Sequence, residues 1–120
     1  MIEPKRDNSI SSLDPNFRKK FDPWWSEVIK KYPTARLFET RRSSERQKWL
    51  YGIGRTHDLQ KKPVTRTLTS RHILGTAVDV VFVQKDGNIG RNGPYGDLIV
   101  MAKKYGIRNL KPTETCHFEG

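Results

Sequence analysis

Cysteine is nearly absent from this 120-residue chain: Cys116 stands alone, so no disulfide can form within it, and the fold does not depend on an oxidising compartment. Long apolar runs are missing too. No stretch approaches the ~20 apolar residues that a membrane span needs. Met1-Ile-Glu-Pro-Lys-Arg carries basic residues with no apolar run behind them, so no signal peptide is expected and synthesis in the cytoplasm is. Hydrophobic residues are scarce at 34%, against 30% charged, yet three Trp, four Tyr and five Phe exclude a disordered chain. Acids are in short supply, with 13 Asp and Glu facing 23 Lys and Arg for a net charge of +10. Such a field suits an anionic partner: nucleic acid, an acidic membrane surface or an anionic wall polymer. The sign does not choose among them. Scattered as they are (Arg18, Lys19, Lys20, Lys30, Lys31, Lys61, Lys62), the cations fit a solvated surface equally well.

Residues 1–12 are polar and expected to be flexible, which leaves a single domain over 13–120. Asp14-Pro15 and Asp22-Pro23 each have the form of a helix N-cap followed by Pro at the first helical position. After the second, Phe21, Trp24, Trp25, Val28, Ile29 and Tyr32 recur at helical spacing until Pro33. A short strand is predicted over 35–40. A helix capped by Ser43 or Ser44 follows, carrying Trp49, Leu50 and Ile53 and ending near Gly52 to Gly54. Residues 55–63 read as a polar loop, and the β-branched runs 64–69 and 77–83 as strands. Lys85-Asp86-Gly87-Asn88 is a turn signal, and 89–94 continue as a Gly-rich loop. A helix over 95–105 ends at Gly106, and a short strand contains Cys116 to Glu119. The order α, β, α, β, β, α, β predicts an α+β domain with a small, mainly antiparallel sheet and flanking helices.

Chemistry concentrates in Ser70-Arg71-His72-Ile73-Leu74-Gly75-Thr76-Ala77-Val78-Asp79. His72 precedes a Gly-containing turn, and Asp79 sits inside an apolar strand. A carboxylate there costs several kcal/mol unless it is paired or metal-bound. Backbone amides or an Arg would satisfy it as well as a metal would. Glu114-Thr115-Cys116-His117-Phe118-Glu119 supplies a third potential ligand, His117, with Glu114 three residues before it. Two imidazoles and a carboxylate suit zinc and leave a fourth position for water. As a solvated tail, the same segment would carry no chemistry. Cys116 alternates to the opposite face from His117, which favours core packing over ligation.

These segments resemble the zinc D-alanyl-D-alanine carboxypeptidase and L-alanyl-D-glutamate endopeptidase family, which includes small phage endolysins. The family pattern Ser-x-His-x-x-Gly-x-Ala-x-Asp is matched from Ser70 to Asp79, and an acid three residues before His-Phe-Glu by Glu114 and His117-Phe118-Glu119. Arg42-Ser43, Gln47, Leu50-Tyr51 and Gly54-Arg55-Thr56 resemble the upstream run of the endolysin branch. The resemblance implies a DD-peptidase (hedgehog-type) fold, with Zn2+ held by His72, Asp79 and His117. It also implies Glu114 as general base, Arg42 as the cation near the scissile carbonyl, and Ser70 and Arg55 as substrate-positioning residues. The implied partner is the peptidoglycan stem peptide, cut by a monomer between L-Ala and D-Glu. Such an enzyme reaches the wall after another protein permeabilises the membrane. A D-Ala-D-Ala carboxypeptidase with the same site is the alternative. A basic nucleic-acid-binding module, or a non-catalytic zinc recognition domain, is the alternative of another class. Arg42 also reads as a surface Arg beside Arg41, Arg55 as a bracket for loop carbonyls and Ser70 as a turn cap. His57 matches nothing in the family pattern and reads as a solvated loop residue. The segment 107–113 is short and lacks the Trp that many relatives carry there.

Overall fold

A computed structural model of the chain describes residues 3–65, 70–110 and 114–120, with Glu114 described by its backbone alone. Among these, three helices join a five-stranded sheet in the order α1 (Pro15–Lys31), β1 (Ala35–Glu39), α2 (Ser44–Gly52), β2 (Ala77–Val83), β3 (Ile89–Gly90), α3 (Tyr95–Lys103), β4 (Arg108–Leu110), β5 (Glu114–Glu119). The strands lie β1-β2-β5-β4, with β3 on the end of β2, and every pairing is antiparallel. This is the α+β architecture that the sequence pattern predicts.

Asp14 caps α1 by accepting from the Asn16 and Phe17 amides at 3.0 and 3.1 Å, a contribution of about 1 kcal/mol. Asp22-Pro23 does not start a helix, contrary to expectation: Pro23 lies inside α1. An interior Pro costs about 3 kcal/mol through its missing N–H. Phe17, Phe21, Trp24, Trp25 and Val28 are all buried along one face of α1, and each large apolar side chain gains roughly 1.5–3 kcal/mol from burial. The stripe wins, and the helix runs through. Trp24 lies at the centre, its ring 4.8 Å from that of Phe118 and its Nε1 donating to the Leu98 carbonyl at 3.2 Å. Val78, Val80, Phe82, Cys116 and Phe118 complete this core from β2 and β5.

Other features differ from the sequence pattern or add to it. Residues 3–12 make specific contacts: the Thr40 amide donates to the Asp7 carbonyl at 2.7 Å, Thr40 Oγ1 to the Ser9 carbonyl at 2.8 Å, and Arg6 stacks 3.9 Å over the Phe38 ring. The segment has found partners in buried Thr40 and in β1, which its polar composition does not reveal. Of the strand expected over 64–69, Val64 and Thr65 are not in a strand, and 66–69 lie outside the described residues. Ile89–Gly90 forms a strand where a loop was read, and Arg108–Leu110 forms one where no element was assigned, because β2 and β5 offer them open edges. Gly106 ends the α3 region as expected, with φ at 73°.

Candidate metal centre

Strand alternation builds two-thirds of the site. Val78 and Val80 on β2, and Cys116 and Phe118 on β5, point into the core, so Asp79 and His117 share the other face and are direct cross-strand partners. His72 arrives from the turn before β2. The Ser70 hydroxyl accepts the His72 amide at 3.2 Å. Gly75 has φ at 74°, and a Cβ there would sit 2.9 Å from the Asp14 backbone nitrogen. Only Gly fits that position, which explains its place in the pattern.

The three side chains converge: one ligand atom from each of His72, Asp79 and His117 lies within 4.8 Å of the others. His72 Nδ1 is 2.7 Å from the Thr40 carbonyl and His117 Nε2 is 2.9 Å from Glu119 Oε1. Both partners are acceptors, so each assigns the ring proton to the nitrogen it faces and the lone pair to the other. Those other nitrogens, His72 Nε2 and His117 Nδ1, lie 3.3 and 3.4 Å from Asp79 Oδ1. His72 Nε2 is buried and makes no hydrogen bond there despite that distance. Three electron-pair donors therefore face one point, which calls for positive charge. Burial acts to raise the Asp79 carboxyl, but without a metal, protonated His117 and His72 rings would turn N–H groups to it, and these more than offset the burial and hold the carboxyl well below the usual carboxylate range. The donor set fits zinc: nitrogen and carboxylate ligands, and orienting partners behind both imidazoles.

A buried polar network backs the cluster. Glu119 receives His117 on one oxygen and, on the other, Arg71 at 2.9 Å together with Arg108. On the opposite side, Arg42 is only 9% exposed, which removes the surface reading. It donates to Gln47 Oε1 and Glu39 Oε1, each at 2.7 Å, and its Nη2 lies 3.7 Å from Asp79 Oδ2. Arg46 Nε donates to the second Glu39 oxygen at 2.5 Å, and its Nη1 to Glu3 at 2.6 Å. Burial disfavours the Arg46 charge, but Glu39 and Glu3 together raise its pKa above the ordinary value.

Glu39, Arg46 and the orienting role of Glu119 escaped the sequence reading. An acid closing a short strand three residues before Arg42 was the available signal for Glu39. Ser70 is placed as a turn cap beside His72. Arg55 donates to the Tyr51 and Thr65 carbonyls at 2.7 and 3.0 Å and stacks 4.0 Å from the Tyr51 ring, so its described bonds bracket a loop. His57 is not a solvated residue: it is 17% exposed, bonded to the Trp49 carbonyl and to Asp58, and packed on the Trp49 ring. The Glu114 side chain lies outside the described residues, though its backbone is in β5, three residues before His117. Cys116 is buried in the core.

No family model and no curated protein sequence matches the chain. Solved structures do. The L-Ala D-Glu endopeptidase ChiX of Serratia marcescens aligns with a TM-score of 0.62 and 19% identity, over 98% of this chain and 87% of its own. The vancomycin resistance D,D-pentapeptidase VanY from a VanB-type cassette, a mutant in complex with Zn(II), aligns with a TM-score of 0.66 and 16% identity, over 89% and 71%. The L,D-carboxypeptidase DacB of Streptococcus pneumonia gives 0.58 and 20%, over 89% and 65%. The chain thus has the fold of these peptidases.

Proposed function

We propose that this protein is a zinc peptidase that hydrolyses the L-Ala–D-Glu bond of the peptidoglycan stem, in the manner of a phage endolysin. The observation that carries this reading is the convergence of His72 Nε2, Asp79 and His117 Nδ1 on one point, with His72 Nε2 buried and unbonded. The fold shared with three wall peptidases, one of them in complex with Zn(II), supports it. His72, Asp79 and His117 would hold the metal. When bound, zinc supplies Lewis acidity to a carbonyl and an acidified water. Glu114, in β5 three residues before His117, is the proposed general base, taking a proton from the attacking water and returning it to the leaving amine. Arg42, beside Asp79, adds fixed positive charge where the carbonyl oxygen gains negative charge. Ser70 and Arg55 act on substrate indirectly, by holding the His72 turn and the 51–65 loop.

The VanY and DacB likenesses favour a second reading on the same site, removal of a terminal D-amino acid. A nucleic-acid module would account for the +10 charge but not for three convergent ligands, two of them buried. On the endolysin reading the protein acts as a monomer made in the host cytoplasm. It reaches the wall once another protein has opened the membrane, drawn by anionic wall polymers. Mass spectrometry of digested walls decides between the readings. New L-Ala carboxyl and D-Glu amine ends support the endopeptidase. Free D-Ala from pentapeptide stems, with the L-Ala–D-Glu bond intact, replaces it with the carboxypeptidase.

A further inference from the structure

β1 contains an irregularity that aims a charge at the metal centre. Leu37 pairs with Val80, but Glu39, not Phe38, pairs with Asp79, so one extra residue is inserted between them. In an unbroken register Phe38 would face Asp79 and Glu39 would fall on the core side with Leu37. The bulge turns Glu39 to the site face, where it is 1% exposed. There its two oxygens hold two buried guanidinium groups, Arg42 and Arg46.

Arg42 has a choice of carboxylates. It is bonded to Glu39 at 2.7 Å and stands off from Asp79 Oδ2 at 3.7 Å. Its Nε is buried with no acceptor among the described residues, so the group is incompletely satisfied and has bonds to gain. Were Glu39 uncharged, the neighbouring carboxylate left for Arg42 would be Asp79, because a buried cation does not stay unpaired. A guanidinium bonded to Oδ2 would then draw charge from the carboxylate whose Oδ1 faces the two imidazoles, and weaken what it offers a metal.

We propose that Glu39 is a positioning residue that keeps Arg42 off Asp79 and so leaves that carboxylate available to the metal. This rests on the zinc reading above. Glu39 touches neither metal nor substrate; it acts through Arg42. The N-terminal segment takes part, since Glu3 bonds the Nη1 of the same Arg46 whose Nε is held by the second Glu39 oxygen.

The test is zinc affinity of the folded, full-length chain, measured by competition with a chelating dye and independent of turnover. Glu39→Gln should bind zinc about 10–100-fold more weakly, the scale found for outer partners of metal ligands. Adding Arg42→Gln to that variant should return affinity towards the parent value, since the guanidinium is then gone. Where Glu39→Gln does not fold, Glu39→Gln with Arg46→Gln removes one charge of each sign and is measured the same way. Parent-like zinc affinity in Glu39→Gln overturns the proposal, and so does a weakened affinity that Arg42→Gln fails to restore, which marks a merely structural role. A parent protein that binds no zinc overturns the metal reading itself, and is told apart from both by that first measurement.

Discussion

The carbonyl oxygen of Thr40 stands 2.7 Å from Nδ1 of His72, and the Arg42 amide donates back to the His72 carbonyl at 2.8 Å. Residues 40 and 42 thus grip His72 by ring and backbone at once. Thr40 is in turn held by Asp7 and Ser9, so the aim of one candidate ligand traces back to the N-terminal segment. A ligand held in this way loses little freedom on binding a metal.

Purified protein is expected to carry about one zinc per chain, since three such ligands make one open site. His72→Ala, Asp79→Ala and His117→Ala should each lose metal and activity together. Chelation should lower the unfolding midpoint of the parent but not of these variants, because a ligand bound only to the folded state stabilises it. Full zinc content in His117→Ala, read by elemental analysis, would remove the site.

Glu119 should matter through His117. Glu119→Ala removes the acceptor that fixes the ring proton on Nε2 and leaves Arg71 and Arg108 unanchored. Zinc affinity should drop about 10–100-fold with the fold retained. Unchanged affinity by dye competition would show that the His117 orientation is set elsewhere.

Glu114→Gln separates the base from the ligands. The variant keeps size and shape but cannot accept a proton. It should bind zinc normally while kcat on a stem-peptide substrate falls by roughly 10²–10⁴. Near-parental kcat would place the base on another residue.

Trp24→Ala tests the core on which the site face is built. The side chain is fully buried against Phe21, Trp25 and Phe118. Its removal should cost about 3–5 kcal/mol in urea unfolding of the metal-free protein. A loss below about 1 kcal/mol, the scale of an ordinary point substitution, would mean that the helix–sheet packing is not as described.

How legible this was in the sequence differs residue by residue. Asp79 and His117 were readable because a polar residue inside an apolar strand marks the face opposite the core. His72 was readable through its place in the pattern Ser-x-His-x-x-Gly-x-Ala-x-Asp, whose Gly75 the structure shows to admit no side chain. Glu39 was not, because a bulge reverses its face and strict period-2 reading puts it on the wrong side. Pro23 misled for a different reason: its local preference was outweighed by a stripe of aromatics whose partners lie in β5 and α3. The partners of the N-terminal segment were not readable, because polar residues can be held by backbone hydrogen bonds that composition does not encode. In each case a contact distant in sequence overrode a local rule.

β5 is inserted between β2 and β4 rather than added at an edge. His117 therefore enters the site only when that insertion is made, and the same event supplies Phe118 to the aromatic cluster around Trp24. A chain emerging from the ribosome with His72 and Asp79 already out, but residue 114 still inside, has an open β2 edge and an unfinished ligand set. Completion of the ligand set and closure of the sheet are then a single event, which no partial product lacking β5 can reach.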